Sequence, residues 1–80
     1  ICNMFQYEIH LLKSGKIIYL HKFIYGKKET DRTVLIRKEI DIFEFRNILS
    51  VFMIYHKSGR ANVTKIVNSK GSFYTVKIFQ

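Results

Sequence analysis

The stretch DIFEFRNILSVFMIYHKSGR, residues 41–60, decides the fold. Asp41 precedes an apolar run and Glu44 stands three residues on, a capping-box pattern in which Asp replaces Ser or Thr. Behind it Phe45, Ile48 and Leu49, Phe52, then Tyr55 and His56 recur at helical spacing. Lys57 supplies positive charge to a last turn, and Gly59 suits the position just past a helix end. The pattern predicts a helix from 42 to about 57. Phe43, Val51 and Ile54 lie off the main stripe, so this helix is apolar nearly all round and needs cover on two sides. The alternative is a strand over 48–57, because Ile, Val, Phe and Tyr favour strands and KSGR at 57–60 echoes KSGK at 13–16. The helix makes the chain α+β, and the strand makes it a small all-β barrel or meander.

Strands surround this segment on both sides. Residues 5–13 (FQYEIHLLK) and 16–25 (KIIYLHKFIY) read as two strands joined by Ser14-Gly15 in a two-residue hairpin. That register pairs Leu11 with Ile18, Ile9 with Leu20 and Tyr7 with Lys22 on a core face. It sets Tyr19, His21 and Phe23 beside His10, Glu8 and Gln6 on the opposite, half-wet face. Residues 26–31 (GKKETD) are a polar turn, and 32–38 (RTVLIRK) are a third strand. Residues 62–67 and 73–79 close the chain as a hairpin around NSKG. The expected order is β-β-β-α-β-β, an antiparallel sheet with one helix.

Eighty residues make one small domain. A chain of this size buries only about 60% of its unfolded surface. An apolar fraction of 48% is therefore high, and part of it is expected to lie against a partner, such as a second copy. The chain opens on Ile1 rather than Met, which reads as a piece of a longer protein. Cys2 is the only cysteine, so no internal disulfide forms, and an intracellular compartment, cytoplasm or nucleus, is expected. No apolar run approaches the roughly 20 residues of a membrane-spanning helix.

Net charge is +8 and unevenly spread. Residues 1–44 hold eight Lys or Arg and all six acids, a net +2, whereas residues 45–80 hold six Lys or Arg and no acid, a net +6. A half-chain without a carboxylate is a source of positive field suited to phosphate or to an acidic protein.

Catalysis finds little footing. Glu8 opposite His21 is the nearest approach to an acid/base pair, but no nucleophile accompanies it, and a cross-strand ion pair is the plainer reading. His10, His21, His56 and Cys2 lack metal-ligand spacing, and no Gly-rich phosphate loop occurs, so neither metal nor cofactor is expected. Nucleic-acid binding is better supported. Sheets recognise single strands by stacking bases on aromatics while Lys and Arg follow the phosphates. Tyr19, His21 and Phe23, rimmed by Lys13, Lys16, Lys27 and Lys28, fit that scheme, with Arg60, Lys65, Lys70 and Lys77 as a second basic strip or simply solvated charge. The competing expectation is a protein-interaction or dimerisation module that covers Phe43, Val51 and Ile54.

The stretch 4–60 also resembles a PUR repeat, of the wider group of single-strand-binding folds that includes PC4-like and Whirly proteins. Phe5-Gln6-Tyr7-Glu8-Ile9 stands where the family has its first aromatic strand, Gly15-Lys16 its loop, Ile17-Ile18-Tyr19-Leu20 its second strand, and Glu44-Phe45-Arg46-Asn47-Ile48-Leu49 its helix opening. The resemblance implies single-stranded DNA or RNA as partner, and pairing of two repeats. The chain departs from the family in showing three clear strands before the helix where PUR repeats have four.

Overall fold

A computed structural model of the chain describes the backbone of residues 2–25 and 32–78 and the side chains of residues 5–23 and 35–78. Five strands and one helix follow in the order β1 (Cys2–Leu12), β2 (Ile17–Tyr25), β3 (Arg32–Ile40), α1 (Ile42–Lys57), β4 (Ala61–Asn68) and β5 (Gly71–Ile78). The strands form one antiparallel sheet in spatial order β3-β2-β1-β5-β4. The expected α+β order is therefore found, and the all-β alternative is not.

Helix α1 forms because both its ends are closed locally. The Asp41 side chain accepts from the Glu44 N–H at 2.8 Å, which satisfies one of the orphan donors of the first turn. At the other end Gly59 N–H donates to His56 C=O and Arg60 N–H donates to Tyr55 C=O, the two bonds of a Schellman motif. Nδ1–H of His56 donates to Ala61 C=O at 3.1 Å and ties the helix end to β4. These bonds outweigh the strand preference of Val51–Tyr55.

The β1–β2 register corrects the sequence reading. Ile9 faces Tyr19, Tyr7 faces His21 and Phe5 faces Phe23, one residue away from the expected pairing. The loop is three residues rather than two: Leu12 N–H donates to Lys16 C=O, and Gly15 N–H donates to Leu12 C=O. Two-residue primed turns need positive φ at the first central position, where Ser14 would stand. A three-residue loop asks for positive φ only at its last residue, and Gly15 supplies it at +93°. The one-residue slip turns every β2 side chain over. Tyr19, His21 and Phe23 share a face with Tyr7 and Ile9, and Ile18, Leu20 and Lys22 share the other.

Helix α1 lies on the first of these faces. It packs Phe45 and Phe52 onto Ile9, Ile17, Tyr19, Ile40, Ala61 and Val76, with Ile9 and Val76 fully buried. Phe52 meets Tyr7 at 4.9 Å between ring centroids, and Phe45 meets Tyr74 at 5.9 Å. Connecting the β3 edge to the β4 edge takes the helix diagonally across the sheet, its backbone nearest β4. The opposite sheet face carries Gln6, Glu8, His10, Ile18, Leu20, Arg37, Thr64, Phe73 and Thr75, and no described element covers it.

Candidate nucleic-acid interface

Strand register brings His10 and Phe73 side by side on the uncovered face, because β1 and β5 pair at those two residues. Their rings stack with centroids 4.8 Å apart and planes within 14°. Nε2–H of His10 donates to Oε1 of Glu8 at 2.9 Å, which fixes the imidazole against the sheet. Two clefts flank this stack. One, of about 220 Å³, lies between His10, Leu12, Asn68, Lys70, Gly71 and Phe73. The other, of about 210 Å³, lies between His10, Leu12, Ile18, Leu20 and Arg37. Both fall below the roughly 300–1,000 Å³ of a site for a drug-sized ligand. Each therefore suits a single ring system, apolar on its walls and with one cation on its rim.

Lys13 and Lys16 are exposed on the β1–β2 turn, next to the β4–β5 turn that carries Lys70, since Leu12 pairs with Gly71. Three amino groups thus gather at one end of the sheet. Arg60 is exposed at the C-terminal end of α1, and Lys65 sits on the helix side of β4 with its Nζ 5.6 Å from the Tyr74 ring centre. Lys27 and Lys28 lie outside the described residues.

The three aromatic residues expected on the half-wet face stand on the helix face instead. Tyr19 is only 8% exposed, and its hydroxyl shares a 3.0 Å hydrogen bond with Nδ1 of His21. Burial, with the Tyr7 hydroxyl as the lesser cause, pushes the Tyr19 phenol up to about 12. His21 and Phe23 are half-buried and pack with Phe5 and Tyr7 at ring distances of 4.7–6.5 Å, mostly edge to face. Edge-to-face packing occupies the ring faces that a stacked base would need. Burial, and secondarily the nearby Lys38, holds the His21 imidazole below its ordinary value, and its Nε2 has neither solvent nor a hydrogen-bond partner. Glu8 and His21 are on opposite faces, so the ion pair considered between them does not form.

Phe43 and Ile54 project from the outer side of α1, 69% and 65% exposed. Val51 borders a groove of about 260 Å³ between helix and sheet, with Tyr7, Tyr19, Tyr55 and Ile78. Among the described residues no group of three metal-ligating side chains gathers, and no helix is long and apolar enough to cross a membrane.

Comparison with family models, with curated proteins and with solved structures gives no match.

The uncovered face carries the pair that sequence reasoning missed. His10 and Glu8 were correctly assigned to the half-wet face. Phe73 lies near the far end of the chain, and no local pattern announces that β5 pairs with β1.

Proposed function

We propose that this chain is a non-enzymatic binding module for single-stranded DNA or RNA, with the strand laid over the sheet face that α1 leaves bare. The observation that carries the reading is the His10–Phe73 stack between two base-sized clefts, each with a cation at its rim, Lys70 on one side and Arg37 on the other. Bases stack against the outer faces of the two rings, and phosphates run past Lys70, Lys13 and Lys16 at one end and Arg37 and Lys22 toward the other. The net charge of +8 and the PUR-repeat resemblance over 4–60 lean the same way. A nucleic-acid ligand fits a cytoplasmic or nuclear setting.

The test is an anisotropy titration of a labelled single-stranded 12-mer at 50 and 200 mM salt. Binding should weaken steeply with salt. A stacked base is worth about 1–3 kcal/mol, so His10→Ala and Phe73→Ala should each lower affinity about 5- to 150-fold, with Tyr19→Phe as the unaffected control. A chain that binds no oligonucleotide at 50 mM salt is not such a module.

A second reading, self-association or capture of an acidic protein through α1, is favoured by the exposure of Phe43 and Ile54. Two large apolar side chains exposed on the outward helix face support an interaction surface there. The two readings use opposite sides of the sheet and are compatible in one molecule.

A further inference from the structure

Strand β4 is an edge of the sheet, and hydrogen-bond parity fixes which of its backbone groups are open. In an antiparallel sheet the N–H and C=O of one residue point to the same side, and those of the next residue to the other. Leu12 N–H donates to Lys16 C=O, so Leu12 points toward β2 and Leu11 toward β5, where it pairs with Ser72. Phe73 then points toward β4 and bonds Ile66. The β4–β5 ladder runs without a shift, so Val63, Lys65 and Val67 turn their N–H and C=O groups outward, and none of these finds a backbone partner among the described residues. Ala61 follows the same parity: its C=O is taken from outside the ladder by His56, at 3.1 Å. The devices that usually guard an edge are missing. Strand β4 has no Pro and no bulge. Its one charge, Lys65, is held with Nζ 5.6 Å from the Tyr74 ring centre, over the neighbouring strand rather than across the edge. Val67 and Ile66 are exposed there. The other edge strand, β3, carries Arg37, Lys38 and Glu39 in succession.

We infer that the β4 edge takes up an extended acidic segment of another protein as an added strand. Open N–H and C=O groups in alternation are matched by a polypeptide backbone and not by a phosphodiester, so the occupant is a protein strand. Charge selects which one. Residues 45–80 hold no carboxylate, and Arg60, Lys65, Lys70 and Lys77 lie on β4 or next to it. The first acid met on crossing the sheet from β4 is Glu8, two strands away on β1. A second copy would bring the same cations against these, whereas an acidic strand neutralises them. This edge is separate from the bare sheet face and from the outer side of α1, so the inference stands apart from the single-strand reading.

Anisotropy titration of the full chain against a labelled peptide EVVETVE at 50 mM salt and pH 7.5 tests this. Laid antiparallel to β4, the peptide sets its central Glu opposite Lys65 and its three Val opposite Val67, Ile66 and Val63. The amide of the central Glu then points at β4, and that of the following Thr points away. N-methylation of that Glu should weaken binding about 10-fold, and N-methylation of the Thr should leave it within about 2-fold. The charge-reversed peptide KVVKTVK should not bind. On the chain, Lys65→Thr removes the charge alone, and Lys65→Pro also removes an outward donor while sparing the ladder to β5. The Pro variant should bind about 2- to 10-fold more weakly than the Thr variant, with urea midpoints reporting that both are folded. No binding of EVVETVE, equal effects of the two N-methyl groups, or equal binding of KVVKTVK overturns the inference. Concentration-dependent sedimentation of the chain that Lys65→Pro abolishes, without peptide binding, overturns it in favour of a second copy at this edge.

Discussion

Substituting Gly71 by Ala should be far more damaging than the same change at Gly15, although both glycines sit at hairpin turns with positive φ. At Gly15 the φ is +93° and an added Cβ would meet nothing within 4 Å. The cost there is the left-handed backbone penalty of about 1–2 kcal/mol, partly offset by the lower entropy of the unfolded alanine chain, and comes to about 1 kcal/mol. At Gly71 the φ is +140°, and an added Cβ would stand 2.2 Å from the Leu11 carbonyl oxygen and 3.3 Å from its carbonyl carbon. Both atoms are backbone of the central strand, so no side chain can swing aside. Relief requires β1 and β5 to separate at the first rung of their ladder. Strained backbone at about 1–3 kcal/mol and overpacking at about 1–3 kcal/mol together give about 2–6 kcal/mol. A domain of this size is stable by only about 4–12 kcal/mol, so the loss approaches or reaches unfolding. Urea titration followed by far-UV circular dichroism measures both variants, and an unchanged slope shows that the midpoint shift is a stability change. A Gly71→Ala variant no less stable than Gly15→Ala would refute the close approach of β5 to β1, and with it the register that sets Phe73 beside His10.

Three further outcomes follow from the packing and charge. Phe52→Ala empties the contact between α1 and Tyr7 and should cost about 3–5 kcal/mol in the same titration; a loss below about 1 kcal/mol would mean the helix is not seated there. His21 has a folded-state pKa lowered from 6.5, chiefly by burial and then by Lys38, so the unfolded chain takes up the proton more readily. Its contribution is complete above pH 6.5 and is lost as pH falls through the folded value. The drop in stability between pH 7.5 and pH 5 should therefore be smaller in His21→Asn than in wild type, and equal drops would remove His21 from the acid sensitivity. Phe43→Lys with Ile54→Glu replaces the two most exposed apolar side chains of α1 without touching the core, and any concentration-dependent sedimentation of the wild-type chain should disappear. Self-association that survives the double change uses another surface.

The helix and the order of elements were legible in the sequence because their determinants are local. Asp41 and Glu44 stand three residues apart, and Gly59 follows the last apolar turn, so both boundaries rest on bonds that span one turn of chain. This is why Ile42–Lys57 was recoverable despite the strand-favouring Val51, Phe52, Ile54 and Tyr55. The faces of β2 were not recoverable by counting alternation, because alternation fixes which residues share a face within a strand and says nothing about how two strands are phased. The phase was set by one turn residue. The order Lys13-Ser14-Gly15 contained the signal, since Ser14 is poorly suited to the positive φ that a two-residue primed turn demands at that position and Gly15 is well placed to end a three-residue loop. The pairing of β1 with β5 had no such local sign.

That phase also decides where a ligand fits. With the two-residue turn, Tyr19, His21 and Phe23 would face solvent and leave Ile18 and Leu20 to the helix. With the three-residue turn the aromatics pack edge to face under and beside α1, and among the described residues the bare face is left with one stacked pair, His10 and Phe73. Inserting one residue between Lys13 and Ser14 offers β2 the chance to slip back, but only by exposing Ile17 and Tyr19, which are now 7% and 8% exposed, and by unpairing Ile40 from Ile17. Burying a large apolar or aromatic side chain is worth about 1.5–3 kcal/mol, so the core resists that slip by more than a single loop residue can impose. The insertion should therefore be absorbed in the turn, with Tyr19 still protonated at pH 11 because its phenol remains buried and near 12. Ultraviolet titration of the tyrosines reads this directly. A Tyr19 that titrates near 10 in the insertion variant, and is lost from the titration in its Tyr19→Phe derivative, would show that the loop rather than the core holds the register.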